Sequence, residues 1–176
     1  DGLINSAYRA GDFKEIQDSD FSDWHKTMNT NFFGTMNLTM AAIKEMTPNA
    51  QGAIVMINSL ITKKPLPTQG GYAASKGALA TATKILAKEL GPKGIRVNSV
   101  YMGWMWGPPV EMYVNYTAET MGVEPKEIID GVTKDIPLGI IPDDSDCANA
   151  ALFLLSDLAK VITGANLDVN GGEFMT

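Results

Sequence analysis

Four short apolar runs are spaced along the chain and predict β-strands at 3–7, 53–57, 95–100 and 165–169. Runs of this length, bounded by turn residues, are typical of strands. The run at 53–57 is almost continuously apolar, as expected for an interior parallel strand that is buried on both faces. The sequence therefore predicts a sheet whose central strands are covered by helices on both sides.

Helical patterns fill the stretches between the predicted strands. One helix is predicted to begin at 20–23, where Asp side chains can cap it, and to end at Pro48. An alanine-rich helix is predicted over 72–90 and another from 142 onward, whereas 103–141 is expected to be irregular with one or two short helices. Strands that alternate with helices predict an α/β fold with a doubly wound, Rossmann-like parallel sheet.

The composition is that of one globular domain, which we place at 1–176. Of 176 residues, 45% are hydrophobic and 19% are charged, which excludes a disordered tail, a coiled coil or a disulfide scaffold. The net charge of −6 argues against a nucleic-acid partner or an anionic membrane surface. The longest apolar run, 150–155, is far shorter than the roughly 20 residues that span a bilayer. The single cysteine, Cys147, indicates a reducing cytoplasm.

A tyrosine and a lysine four residues apart are the first candidates for chemistry. Tyr72 and Lys76 share one face of the predicted helix, so their side chains can approach each other. A free phenol has a pKa of about 10, and a nearby ammonium favours its ionised form. Ser59 follows the predicted strand 53–57 at its carboxyl end, where open α/β sheets bind ligands. Tyr72 is therefore a candidate acid/base, with Ser59 as a donor to a substrate oxygen.

Several segments, in order along the whole chain, resemble the carboxyl-terminal two thirds of a short-chain dehydrogenase/reductase. Residues 1–8 resemble the family's Asn-Asn-Ala-Gly strand end, and 24–34 resemble the helix that carries its catalytic Asn, here Asn31. Ser59 precedes Tyr72 by the family's spacing of 13 residues. In the same way, 94–100 resembles the strand before the nicotinamide loop and 163–172 the last strand.

The resemblance implies an NAD(P)-dependent oxidoreductase that interconverts an alcohol and a carbonyl by hydride transfer. Tyr72 would be the general acid/base, and Lys76 would lower its pKa and hold the nicotinamide ribose. Ser59 would orient the substrate oxygen, and Asn31 would hold a water that links Lys76 to solvent. Contacts to NAD or NADP are implied for Asn5, Ser6, Ala7, Tyr8, Ile57, Tyr72, Lys76, Met102, Gly103 and Met105. Contacts to a small, apolar alcohol or carbonyl substrate are implied for Ser59, Leu60, Trp104 and Trp106.

The chain also departs from the family pattern. Ser6 stands where a second Asn is usual and Tyr8 where Gly is usual, so a ring is expected close to the cofactor. Met102 replaces the usual Pro, and Gly107 replaces a Thr that often contacts the nicotinamide. The family's first strand and its Gly-rich turn, which hold the pyrophosphate, have no counterpart in this sequence. We therefore expect a partial domain that lacks three amino-terminal strands, with the fourth to seventh strands contiguous.

Two readings of the function follow and stay open. In the first, the protein is an oxidoreductase, paired into a homodimer or homotetramer through the helix 72–90 and the helix around Phe33. In the second, the chain is a truncated, inactive half-domain that acts only in folding or assembly. A Ser59–His25 hydrolase is disfavoured because no Gly-x-Ser-x-Gly surrounds Ser59. No metal site is predicted, because the His, Cys and carboxylate residues are not spaced in the sequence as the ligands of a metal ion are.

Overall fold

The computed structural model describes residues 1–175 and contains one parallel sheet of four strands. The strands are β1 (Gly2–Asn5), β2 (Gly52–Ser59), β3 (Ile95–Met102) and β4 (Asn166–Val169), and they lie in the order β1-β2-β3-β4. This confirms the predicted α/β fold and its contiguous strand order. Because all neighbours are parallel, the carboxyl ends of the four strands lie along the same edge of the sheet.

Within residues 1–175, six α-helices connect and cover the strands. They are α1 (Phe21–Met28), α2 (Thr35–Met46), α3 (Gly70–Leu90), α4 (Pro108–Met121), α5 (Pro125–Thr133) and α6 (Asp144–Leu155). A π-helical segment (Asn29–Gly34) joins α1 to α2 without a break in direction. Within the part of the chain that the structure describes, no helix combines the length and the apolar character that a membrane crossing requires.

The central strands are buried because alternate side chains enter two different core layers. Ile54 and Met56 of β2 pack on the side of α2 and α3, with Leu79 and Leu90 among their neighbours. Val55, between them, packs on the opposite side, in a layer completed by α6 residues. Burial on both faces explains why the run at 53–57 carries no polar residue.

The main difference from the sequence prediction lies in 103–141, which contains two helices and less irregular chain than expected. The longer one, α4, has 14 residues and ends on Gly122, whose φ of +66° is the left-handed conformation that favours glycine. The second, α5, begins at a capping box in which Glu124 and Glu127 bond each other's backbone. These two local signals mark the end of α4 and the start of α5.

Gly94 shows why the entry to β3 requires a glycine. Its φ is +73°, and a Cβ there would lie 2.0 Å from the carbonyl oxygen of Ala50. The turn that precedes β3 therefore packs backbone against backbone on the turn that precedes β2. This contact sets the register of β2 against β3, in which Gly52 pairs with Ile95.

Candidate active site

The predicted site residues converge at the edge formed by the carboxyl ends of the strands. Asn5, Ser59 and Met102 are the last residues of β1, β2 and β3. Tyr72 is in the first turn of α3, which begins at this same edge, and the Ser59 side chain is close enough to its phenol to lower the pKa of that phenol. The structure thus brings together the tyrosine and the serine that the sequence places 13 residues apart.

A close helix contact fixes the position of Tyr72. The two glycines before it, Gly70 and Gly71, pack against the indole ring of Trp24 in α1. A Cβ at Gly70 would lie 2.5 Å from the Cζ2 atom of Trp24. The Trp24 Nε1 atom in turn donates to Ser19 Oγ at 3.0 Å, which holds the ring in place. The glycines therefore let α3 start against α1, and this contact sets where the phenol stands.

The electrostatic environment of Tyr72 differs from the expectation. Burial raises the pKa of the phenol above its usual value, and the Ser59 hydrogen bond opposes this shift only in part. The nearby phenol of Tyr8 also raises the pKa of Tyr72. The net shift of the Tyr72 pKa is thus upward because desolvation is the largest effect, while the lowering contribution assigned to Lys76 stays a prediction.

Lys76 is buried on the next turn of α3, with 3% of its surface exposed. Its Nζ atom donates to the carbonyl oxygen of Ile57 in β2 at 2.7 Å, and it lies 5.8 Å from the centre of the Tyr72 ring. Burial lowers the pKa of Lys76 to about 8. An ammonium held this close to the phenol favours the phenolate whenever Lys76 is protonated.

Asn31 makes a different set of contacts from those expected. It lies in the π-helical segment, where its side chain is completely buried. Its Oδ1 atom accepts from the Arg9 backbone nitrogen at 2.7 Å. Its Nδ2 atom donates to the Arg9 carbonyl and to Ser75 Oγ, both at 2.9 Å. Asn31 therefore fixes the segment after β1 against α3, a contact that the sequence did not predict, while its water-binding role stays a prediction.

Replacing Asn31 with alanine is expected to destabilise the protein by about 2–3 kcal/mol. The change removes the three hydrogen bonds of the buried Asn31 amide, to the two backbone groups of Arg9 and to Ser75, and each such bond contributes about 0.5–1.5 kcal/mol. Urea unfolding measures the loss. The matched control is Asn29→Ala, an exposed position of the same π-helical segment, where a change of under about 0.5 kcal/mol is expected. Equal losses for both variants would contradict the role given to Asn31.

The Asn31 anchor places Tyr8 beside the acid/base candidate. The Tyr8 ring lies edge-on to the Tyr72 ring, with 6.3 Å between the ring centres and 63° between the planes. The side chain of Tyr8 is exposed, as are those of Ser6 and Ala7 before it. Tyr8 therefore lies beside the acid/base candidate, and the cofactor contacts that the resemblance implies for these three residues stay predictions.

The other predicted cofactor residues fall into two groups. Asn5 and Met102 are buried, and the Asn5 amide donates to Thr39 Oγ1 at 2.9 Å, so both support the sheet edge. Gly103 packs directly on Asn170, and Met105 packs against the core layer next to α6. The Ile57 carbonyl binds Lys76, and contacts of Ile57, Gly103 and Met105 with a cofactor stay predictions.

The predicted substrate residues surround the loop that follows β3. The Trp104 ring lies 5.4 Å from the ring of Tyr113 in α4. Trp106 forms a short bridge with the residues before α6, through its backbone nitrogen and Pro142 O at 2.7 Å. Leu60 is buried directly after Ser59. Both tryptophans are half-buried, so this loop provides an apolar wall, and its contact with a substrate stays a prediction.

The chain is similar in sequence to a protein-family model and to several known proteins. The chain matches a family model described as "Enoyl-(Acyl carrier protein) reductase" over residues 1–173. It is 35% identical over 154 residues to (3R)-3-hydroxyacyl-CoA dehydrogenase from Homo sapiens, an alignment that covers 87% of this chain and 55% of that relative. It is 34% identical over 172 residues to the uncharacterized short-chain type dehydrogenase/reductase y4mP from Sinorhizobium fredii, covering 97% and 64%.

Comparison of structures gives the same result. NAD+-bound xylitol dehydrogenase superposes with a TM-score of 0.87 at 28% identity, over 98% of this chain and 68% of the other. ElxO with NADP bound superposes with a TM-score of 0.86 at 27% identity, over 98% and 66%. The chain belongs to the short-chain dehydrogenase/reductase family. It spans 55% and 64% of the lengths of the two relatives described above.

Proposed function

We propose that the protein is an NAD(P)-dependent oxidoreductase that interconverts an alcohol and a carbonyl compound. The observation that carries this proposal is the buried Lys76 one helical turn from the Tyr72–Ser59 pair, at the carboxyl edge of a parallel sheet. Such an arrangement can donate a proton to a substrate oxygen and accept a proton from it. The names of the relatives, which are dehydrogenases, and the dinucleotides bound in the similar structures support the reaction class.

The described residues fit the nicotinamide half of such a cofactor. The Lys76 ammonium has donor hydrogens left after its bond to Ile57 O. Asn58 follows Ile57 in β2, and its buried Nδ2 atom has no hydrogen-bond partner within residues 1–175. Exposed Tyr8 and the backbone at Gly103 lie along the same sheet edge. A bound nicotinamide supplies or accepts the hydride. Between β1 and α1 the described chain has no Gly-rich turn for the pyrophosphate.

In the proposed mechanism, Tyr72 holds the proton that moves. During carbonyl reduction its hydroxyl donates that proton to the substrate oxygen, and during alcohol oxidation the phenolate accepts it. Ser59 orients the substrate oxygen against the phenol, and the Lys76 ammonium stabilises the phenolate. Trp104 and Trp106 line the apolar side of the substrate site.

We also propose that the protein forms a homodimer or homotetramer through α2 and α3. An apolar groove runs between these helices, lined by Phe32, Met36, Ala78 and Ile85 among others. Phe33 and Ile85 are each more than half exposed, which is unusual for large apolar side chains that face only water. Burying this surface against a second copy would give an interface more apolar than the average surface.

We propose the reducing cytoplasm as the compartment of the protein. The buried, free Cys147 thiol is consistent with it.

The proposed function is tested by following reduced-nicotinamide absorbance in the full-length protein with a panel of small alcohols and carbonyls. We expect turnover of at least one apolar member with NADH or NADPH. The 176-residue chain by itself is assayed in parallel. If the full-length protein turns over substrate and the isolated 176-residue chain does not, the isolated chain is the inactive half-domain of the second reading. No turnover by either would contradict the proposed function.

A further inference from the structure

Two lysines directly after the Ser59 turn reach the carboxyl-terminal segment of the chain. The Lys63 Nζ atom lies 2.6 Å from Asp168 Oδ1 in β4. The Lys64 Nζ atom lies 3.0 Å from Glu173 Oε1. Each ion pair joins residues more than 100 positions apart in sequence. Together they tie the loop that follows β2 to the far end of the sheet.

The Lys63–Asp168 pair is shielded from water. The two side chains are 15% and 18% exposed, and the Lys63 Nζ atom lies 4.4 Å above the centre of the buried Tyr101 ring. By contrast, the ion pair Lys126–Asp130 in α5 leaves its side chains 80% and 59% exposed. Shielded charges are screened less by solvent, so the Lys63 pair holds its geometry more firmly than a surface pair.

The short turn between Ser59 and Lys63 is stiff enough to transmit a displacement. Ser59 Oγ accepts from the Ile61 backbone nitrogen at 3.2 Å, and Thr62 Oγ1 donates to Ser59 O at 3.1 Å. The backbone nitrogens of Lys63 and Lys64 both donate to Leu60 O at 2.8 Å. Every residue of the turn is thus bonded to Ser59 or to its neighbour. A shift at Lys63 therefore changes the position of the Ser59 hydroxyl.

The opposite side of the contact is also fixed. Asn170 Nδ2 donates to Phe174 O at 3.0 Å, and Asn170 Oδ1 accepts from the Gly172 nitrogen at 2.9 Å, which closes a compact turn after β4. Glu173 packs against Gly103, where a Cβ would lie 3.2 Å from Glu173 Oε2. The carboxyl-terminal segment is therefore a fixed support that contacts the loops after both β2 and β3.

We propose that Lys63 is a positioning residue, which through its ion pair with Asp168 holds the Ser59 hydroxyl against the Tyr72 phenol. Lys63 itself does not touch the reacting atoms. The proposal rests on the proposed function, because it assigns Ser59 to the substrate oxygen. According to this proposal, the carboxyl-terminal segment sets the position of Ser59 relative to Tyr72. The spacing of Tyr72 and Lys76 in the sequence does not indicate such a role.

The test is Lys63→Met in the full-length protein, with Lys126→Met as the matched control at an exposed ion pair. We expect kcat to fall by about 10- to 100-fold, since small misplacements of a reacting group have effects of that size. The KM for the nicotinamide cofactor should stay unchanged. The alkaline limb of the pH–rate profile should move to higher pH, because the Ser59 bond that lowers the Tyr72 pKa is weakened. Lys63→Arg, which keeps the charge, should restore most of kcat.

Hydrogen–deuterium exchange provides a readout that does not depend on turnover. Exchange in 59–66 should rise in Lys63→Met and stay unchanged in Lys126→Met. An unchanged kcat with an unchanged pH profile would overturn the proposal, as would unchanged exchange. If Lys63→Met does not fold, Lys63→Gln takes its place, and unfolding of both would show a purely structural role, which also overturns the proposal. If the unaltered protein has no turnover, the proposed function fails, while the exchange data still decide whether Lys63 holds the turn.

Discussion

Replacing Tyr72 with phenylalanine in the full-length protein is expected to lower kcat by about 10²- to 10⁴-fold. The change removes only the hydroxyl, which is the group that transfers the proton, and a positioned acid/base contributes a factor of this size. The ring that packs against Tyr8 and the start of α3 stays in place, so the midpoint of thermal unfolding and the cofactor Kd should change little. Steady-state kinetics and calorimetry measure these quantities.

The matched control for this substitution is Tyr116→Phe, which removes a phenol hydroxyl from a side chain that is 70% exposed in α4. We expect the kcat of this variant to stay within about twofold of the unaltered protein. Residual turnover by Tyr72→Phe above about a tenth of the original would remove Tyr72 from the acid/base role.

Replacing Lys76 with methionine is expected to weaken cofactor binding and to lower kcat by about 100-fold or more. One buried ammonium is assigned both to the nicotinamide ribose and to the stabilisation of the Tyr72 phenolate. Its loss should also raise the apparent pKa of the basic limb of the pH–rate profile. The exposed Lys84, two turns further along α3, provides the control Lys84→Met, for which neither quantity should change. An unchanged pH profile together with an unchanged cofactor Kd would exclude Lys76 from the site.

The same substitution makes a prediction about stability that needs no cofactor. Burial lowers the pKa of Lys76 to about 8 from the usual 10.5, so between these values the unfolded protein binds more protons than the folded one. Stability must therefore rise as the pH rises through this window. Relative to Lys76→Met, the unfolding free energy of the unaltered protein should increase by about 2–3 kcal/mol between roughly pH 7 and pH 10. A difference that is constant with pH would show that Lys76 is not buried as a charged group.

The sequence predicts the site through local patterns. Tyr72 and Lys76 meet because positions four apart share a helix face, and Ser59 joins them because its strand is apolar on both faces and ends at the ligand-binding edge. Each of these inferences needs only the period of a helix or the burial of a strand. The fold class follows for the same reason, since the alternation of strands and helices is visible along the whole chain.

What the sequence could not predict depends on contacts between distant segments. Asn31 bonds Arg9 across 22 positions, and Lys63 bonds Asp168 across 105, and no local pattern marks either pair. The direction of the Tyr72 pKa shift is set by desolvation, which depends on how the distant parts of the folded chain bury the phenol. The π-helical segment at Asn29–Gly34 has no signal in its composition, yet it is what points Asn31 toward Arg9.

The fate of a labelled hydride shows directly whether the protein transfers hydride between a nicotinamide and a carbonyl compound. The full-length protein is incubated with NADH or NADPH carrying deuterium at the transferable position of the nicotinamide, and with a carbonyl substrate found by the panel assay. We expect mass spectrometry to find one deuterium on the former carbonyl carbon of the alcohol, and Tyr72→Phe to form this product about 10²- to 10⁴-fold more slowly. An alcohol without deuterium, or labelled product formed equally fast by Tyr72→Phe, would contradict it.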